Sequence, residues 1–139
     1  MKIDILVIPY DKKLAEKFIY NGTEKEFSGT EIIPILEFYS KMGASFMGLI
    51  DEKIIGIGGV YKLWENAGGC FLFLNKEAQN YKKSVFKILL KYMNALIKQY
   101  QIKTLIAECQ DNNLEAQRLI EHLGFKKNRE TKTATYTKG

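Results

Sequence analysis

Hydrophobic and polar positions fall into their clearest pattern between Cys70 and Phe125. Cys70–Leu74 (CFLFL) is a short, continuous, aromatic-rich run, as expected of a strand buried on both faces. From about Tyr81 to Tyr100 the apolar residues Val85, Phe86, Leu89, Met93, Leu96, Ile97 and Tyr100 recur at helical spacing. Lys83, Lys87, Lys91 and Lys98 fall on the opposite stripe, as on any solvated helix face. A second strand is predicted at Thr104–Cys109. Asp111, Asn112 and Asn113 then supply N-cap chemistry for a second helix, which Gly124 ends. Two strands joined by a helix are expected to lie parallel, with a right-handed crossover. The Leu74–Tyr81 connection and the start of the long helix then share one end of the sheet. Free backbone N–H groups and the helix's positive pole make that end receptive to phosphate.

Upstream, Lys2–Pro9 reads as a first strand stopped by Pro9. Asp11 caps a helix predicted to run through Tyr20, with Leu14, Ala15, Phe18 and Ile19 on one face. Asn21–Gly22–Thr23 is turn chemistry, and Lys25–Gly29 reads as a loop. A second helix is predicted from Thr30–Glu31 to Lys41, with Pro34 near its first turn. Ala44–Ile50 and Ile54–Trp64 flank Asp51–Glu52–Lys53 as an antiparallel hairpin. Gly56, Gly58 and Gly59 in its second strand point to close packing, a bulge, or approach by a ligand. Glu65–Gly69 is the next turn. Lys126–Glu130 and Lys132–Tyr136 form a final hairpin turning near Arg129–Thr131. This order predicts an α/β (α+β) fold with helices on both faces of a mixed sheet.

Composition narrows the picture only a little. The 139 residues, 46% hydrophobic and 27% charged, suit one globular domain spanning 1–139. No apolar run approaches the ~20 residues that cross a bilayer, so no membrane partner is expected. The opening MKIDILVIPYDKK is too short and too soon acidic for a signal peptide, which makes a cytoplasmic location the expectation. Cys70 and Cys109 both fall in strands and read as small buried thiols. With one histidine, His122, and no Cys-x-x-Cys, no metal site is expected. The net charge of +5 permits an anionic ligand. No aromatic–basic stripe or zinc-finger spacing points to a specific nucleic-acid partner.

The run Asn113-Leu-Glu-Ala116-Gln-Arg-Leu119-Ile-Glu-His-Leu-Gly124-Phe125, taken with the element order, resembles the GNAT superfamily of acyl-CoA-dependent N-acyltransferases. The resemblance extends from Ile3 to about Tyr136. It implies a mostly antiparallel sheet with one splayed parallel strand pair. It implies that Leu72, Phe73 and Leu74 offer their backbone to the pantetheine arm of acetyl-CoA, the cosubstrate. Tyr81, Lys82, Lys83, Ser84 and Val85 would meet the pyrophosphate, and Asn113 the pantetheine or acyl region from the other wall. The acceptor would be a primary amine, on a small molecule or a protein.

Two departures from the family pattern stand out. The usual Gln/Arg-x-x-Gly-x-Gly/Ala segment aligns with Tyr81-Lys82-Lys83-Ser84-Val85-Phe86, which has no glycine. A basic segment of this kind is similar to a phage-encoded GNAT-like branch, which would place the protein in a host cytoplasm or a virion. Ile120 stands where many members have a tyrosine that protonates the departing thiolate, and His122 lies two positions on, facing another side.

Acyl transfer to an amine asks little of side chains: a deprotonated amine, a polarised carbonyl, and proximity. Glu108, beside the expected cleft, is the candidate base; otherwise it is a salt-bridged or solvent-facing carboxylate. Tyr61 and Tyr81 are candidate thiolate donors or packing residues. Cys70 has no neighbouring base in sequence and reads as packing. The alternative to an enzyme is a GNAT fold kept as an interaction or phage structural protein. The C-terminal strands could pair across a homodimer.

Overall fold

The structure is a computed structural model and describes residues 4–20, 27–109, 114–128 and 134–138. In chain order these form β1 (Leu6–Pro9), α1 (Lys12–Ala15), β2 (Ile19–Tyr20), β3 (Phe27–Ser28), α2 (Gly29–Met42), β4 (Gly43–Ile50), β5 (Lys53–Trp64) and β6 (Ala67–Leu74). A 3₁₀ helix (Lys76–Tyr81) leads into α3 (Lys82–Gln99), followed by β7 (Thr104–Cys109), α4 (Leu114–His122), β8 (Lys126–Asn128) and β9 (Ala134–Lys138). The main sheet has the order β1-β4-β5-β6-β7-β9-β8, and β2 and β3 pair separately. Among the described strands, β6–β7 is the single parallel pair, and the rest are antiparallel. This is the mixed α+β architecture expected from the element order.

Side-chain alternation divides the core into two layers. On one face Ala15, Phe18, Ile33, Leu36, Met47 and Ile57 pack beneath α1 and α2, joined by Phe71 and Phe73 of β6. On the other, Val60, Leu105 and Ala107 meet Met93 and Leu96 of α3 and Leu123 and Phe125 after α4. The apolar stripe read from the sequence of α3 is the one that packs: Val85, Met93 and Leu96 are buried, and Phe86, Leu89, Ile97 and Tyr100 border the core.

The end of α4 follows its sequence closely. Gly124 adopts φ 103, its N–H donates to Glu121 O, and Phe125 N–H donates to Ile120 O. That is a Schellman stop, with Phe125 buried against Ile120.

Several boundaries move. The strand expected at Lys2–Pro9 is β1, from Leu6; positions 2 and 3 lie outside the described residues. Asp11 caps α1 by accepting from Leu14 N–H at 3.2 Å, but the helix stops at Ala15 rather than Tyr20. Ile19–Tyr20, a β-branched and aromatic pair, instead joins Phe27–Ser28, a stretch expected to be loop. Pro34 lies in the second turn of α2, on its exposed side, where water can take the carbonyl left without a donor. β6 begins at Ala67, because Gly68 and Gly69 lie flat beneath Ile102 and Tyr61. Its Cys70–Leu74 half is partly exposed, not buried on both faces. The hairpin turn is Asp51–Glu52, both at positive φ (49 and 68), the primed geometry that matches strand twist. The turns expected at Asn21–Thr23 and Arg129–Thr131 lie outside the described residues.

The β5 glycines serve close packing and a bulge. Gly48 pairs Gly56 and Leu49 pairs Ile54, so Ile55 is an extra residue in β5. A Cβ on Gly59 would lie 2.3 Å from the Ala44 carbonyl oxygen and 2.9 Å from Ser45 Cα, both backbone atoms of β4. A Cβ on Gly56 would lie 2.6 Å from Leu74 Cδ2, a movable side-chain tip. Gly59→Ala is therefore expected to cost about 3 kcal/mol and Gly56→Ala about 1 kcal/mol, measured by equilibrium urea unfolding. Equal losses would mean that β4 yields as easily as a leucine tip.

Candidate active site

The parallel ladder between β6 and β7 runs from Ala67–Thr104 to Cys70–Ala107 and ends there. Both strands continue. β6 stays paired with β5 as far as Leu74, and β7 with β9 as far as Cys109. The two chains therefore part after Cys70, which opens a cleft between Phe71–Leu74 and Glu108–Cys109.

Backbone direction shows what this cleft offers. The carbonyl oxygens of Phe71 and Phe73 lie 3.0 and 3.2 Å from the Cβ positions of Gly58 and Gly56, so they point to β5. Asn75 N–H also turns that way, donating to Ile55 O at 2.9 Å. By alternation, the backbone groups of Leu72 and Leu74 face β7, beyond the end of the ladder. Their side chains lean the other way: Leu72 Cδ1 and Leu74 Cδ2 lie 2.9 and 2.6 Å from the Cβ positions of Gly58 and Gly56. Bulky leucines thus leave the cleft edge as bare backbone.

Asn75, which sequence reasoning passed over, bolts this strand end in place. It is 5% exposed, donates from Nδ2 to Ile54 O at 3.1 Å, and accepts from Ala78 N–H at 3.0 Å. An asparagine directly after an apolar strand was the available signal. A cavity of about 810 Å³, lined by Leu14, Lys17, Leu49, Ile54 and Asn75 among others, adjoins it on the β5 side of β6, away from the cleft.

Beyond Asn75 the 3₁₀ helix runs straight into α3. Its i→i+3 bonds take up N–H groups at the start of α3 that an isolated helix would leave free. Tyr81, the N-cap, makes no side-chain cap bond, and the first turn holds no acidic residue. Lys82 and Lys83 are exposed and Ser84 is half-buried. Glu77 is paired with Lys53; among the described residues neither Lys82 nor Lys83 makes an ion pair. Two unpaired lysines at a helix N-terminus oppose the dipole and favour a bound anion. Tyr81 packs beside Leu74 and Ala78, and Val85 is buried in the same cluster. Those two side chains are therefore turned away from any phosphate.

Glu108 occupies the β7 position opposite Thr135, one residue past the last β6–β7 rung. Asn113 lies outside the described residues. Ile120 packs against the core and accepts from Phe125 N–H, and His122 is exposed at the end of α4. Neither stands as a proton donor in the cleft. Sequence reasoning also missed the ring cluster on the α2 face. Tyr39 stacks on Tyr61 (4.3 Å, 13°) and on Phe71 (4.7 Å, 24°).

Burial pushes the Cys70 thiol up to about 12 from an ordinary 9.0, although the residue keeps some exposed surface. Burial, then the neighbouring Glu37 carboxylate, raises Tyr10 to about 12 from 10.0. A protonated thiol packed against the core is no nucleophile.

Bare strand backbone at the end of a parallel ladder, beside a basic helix start, is an arrangement that suits an extended amide-rich chain ending in phosphate. That is the acyl-CoA-binding class of acyltransferase. A family model described as an acetyltransferase (GNAT) domain matches residues 10–139, and the chain belongs to this family of N-acetyltransferases. No curated protein matches the sequence significantly. Among solved structures, a GNAT-family acetyltransferase from Staphylococcus aureus Mu50 is similar at 18% identity and TM-score 0.74, covering 97% of this chain and 98% of that one. The ribosomal-protein-S5-alanine acetyltransferase from Vibrio fischeri is similar at 14% identity and TM-score 0.72, covering 99% and 94%. A GNAT-family acetyltransferase from Streptococcus pneumoniae is similar at 15% identity and TM-score 0.68, covering 96% of each chain. At these identities the likeness is one of fold.

The raised thiol carries a sign. Below pH 9 Cys70 is protonated folded or unfolded, and its contribution to stability is complete. As pH rises from 9 towards 12 the unfolded thiol ionises first, so stability falls. Cys70→Ala should lose less stability than the parent across that window, measured by urea unfolding. In a Cys109→Ser background, Cys70 should resist alkylation at neutral pH until the protein is unfolded. Rapid labelling of the native protein would contradict its burial.

Proposed function

We propose that the protein moves an acetyl group from acetyl-CoA to a primary amine, on a small molecule or a protein, by direct attack inside the β6–β7 cleft. The observation that carries this reading is the backbone of Leu72 and Leu74, turned away from β5 and without a partner in β7. Unpaired strand N–H and C=O groups bind extended amides as another strand would. In this reading the pantetheine arm lies along Leu72, Phe73 and Leu74, and Asn113 meets it from the opposite wall. Lys82, Lys83 and Ser84 meet the pyrophosphate by charge and hydroxyl, where relatives use glycine-exposed N–H groups. Tyr81 and Val85 contribute backbone position only, since their side chains belong to the core.

The chemistry then follows from placement. A strand N–H polarises the thioester carbonyl. Glu108, directly or through water, takes the proton from the acceptor ammonium, and the neutral amine attacks. The tetrahedral intermediate gives up the second proton of its nitrogen to water and collapses with expulsion of the thiolate, which is protonated from water in turn, since Ile120 has no proton to give. A cytoplasmic setting suits a reaction that consumes acetyl-CoA. A homodimer would pair through the outer edge of β8, the end of the sheet.

At a hundredfold excess over its dissociation constant, acetyl-CoA should raise stability by about 2.7 kcal/mol, read as a thermal shift. Lys82→Glu/Lys83→Glu should remove most of that shift, whereas Lys98→Glu, at the far end of α3, should not. No shift with millimolar acetyl-CoA would leave a scaffold without a reaction. A shift indifferent to Lys82 and Lys83 would put the phosphates elsewhere.

A further inference from the structure

We infer that the cavity beside α1 is a second ligand site, separate from the cleft, and that it takes a primary alkylammonium. The inference goes beyond the acetyl-transfer reading and stands without it. Its floor comes from strand register. Leu6 of β1 pairs Leu49 of β4, and Leu49 pairs Ile54 of β5, so three apolar side chains form one row across the sheet. Leu14 of α1 packs on the same cluster as Leu49 and Ile54. α1 ends at Ala15, four residues long, and does not roof the whole row. Leu49 and Ile54 are 8% and 6% exposed, whereas Leu6 is 62% exposed. The space left is the cavity of about 810 Å³, a size that suits a small ligand.

Asn75 lines the cavity at the inner end of the row, beside Ile54. Its N–H and Nδ2 donate to Ile55 O and Ile54 O, and its backbone carbonyl accepts from Ala78 N–H. Its remaining acceptor, Oδ1, is buried and has no hydrogen-bond partner among the described residues. An interior acceptor without a donor is costly, and native folds seldom leave one unmet. A donor carried in by an occupant of the cavity would meet it.

Charge selects the occupant. The rim holds Asp4, Asp51 and Glu52 against Lys17 and Lys53. Lys53 is already paired with Glu77, so this rim is negative on a chain of net charge +5. The carboxylates do not converge on one point: among the described residues, no three acidic, histidine or cysteine side chains are placed to hold a metal ion. A dispersed negative rim over an apolar floor suits an organic cation with a hydrocarbon body. The unmet acceptor requires that this cation carry an N–H, which a quaternary ammonium lacks. In the sheet, β6 stands between this row and the β6–β7 cleft, so both can be filled at once.

The test titrates isotope-labelled protein with n-hexylammonium, hexyltrimethylammonium and hexanoate at constant pH and ionic strength, followed by amide NMR. Hexylammonium should shift the Leu14, Glu52 and Asn75 amides saturably in the millimolar range. The quaternary analogue should bind about tenfold more weakly, and hexanoate should not bind. Saturating CoA should leave the hexylammonium shifts in place. Leu14→Trp, which fills the cavity, should abolish them. Asp51→Asn/Glu52→Gln, which keeps turn-forming residues, should weaken binding about threefold. Absence of saturable shifts, equal affinity for the quaternary analogue or hexanoate, or loss of the shifts on adding CoA would overturn the site. Indifference to the Asp51/Glu52 variant would do the same, whether or not Leu14→Trp folds.

Discussion

Two strands run side by side for four rungs and then separate, each held to its outer neighbour. β5 keeps β6 through Leu74, and β9 keeps β7 through Cys109. The remaining functional features follow from that separation. A buried backbone group without a partner is costly, and sheets seldom leave an interior edge open. Here the edge is tolerated because it faces a cleft that solvent or a ligand can enter. Asn75 and the Ile55 bulge secure the strand end from the β5 side, so opening towards β7 does not loosen β6.

The same arrangement explains how large residues fit at this end of β6. Leu72 and Leu74 have room because Gly58 and Gly56 lack side chains across the strand. At the helix start, Tyr81 and Val85 pack inward, and Lys82 and Lys83 point outward. In the proposed reading, side-chain charge stands in for a backbone cradle for phosphate. Lysine heads are mobile and screened by salt, so this substitution favours weaker, more salt-sensitive donor binding.

The sequence made the α3 stripe, β7, the Gly124 stop and the β4–β5 hairpin legible, because each depends on local periodicity or one turn residue. The shortened α1 was hidden, since Phe18 satisfies a helical pattern and a strand-like pocket equally. The β6 glycines read as turn residues because Tyr61 and Ile102, which lie over them, are distant in sequence. At the site, Leu72 and Leu74 were legible through family resemblance alone; nothing local marks which of their neighbours face β5. The Tyr39 stack was invisible, since it joins α2, β5 and β6. Asn113 lies outside the described residues, and Glu108 is placed by register.

The central claim is that the Leu72 and Leu74 amides are unpaired until a donor substrate arrives. Residue-resolved hydrogen exchange by NMR tests it directly. Without ligand, Leu72 and Leu74 should exchange quickly while Phe71 and Phe73, bonded to β5, are protected; saturating acetyl-CoA should slow the first pair. Equal protection of all four amides in the ligand-free protein would mean that the strands are closed, and would contradict the account.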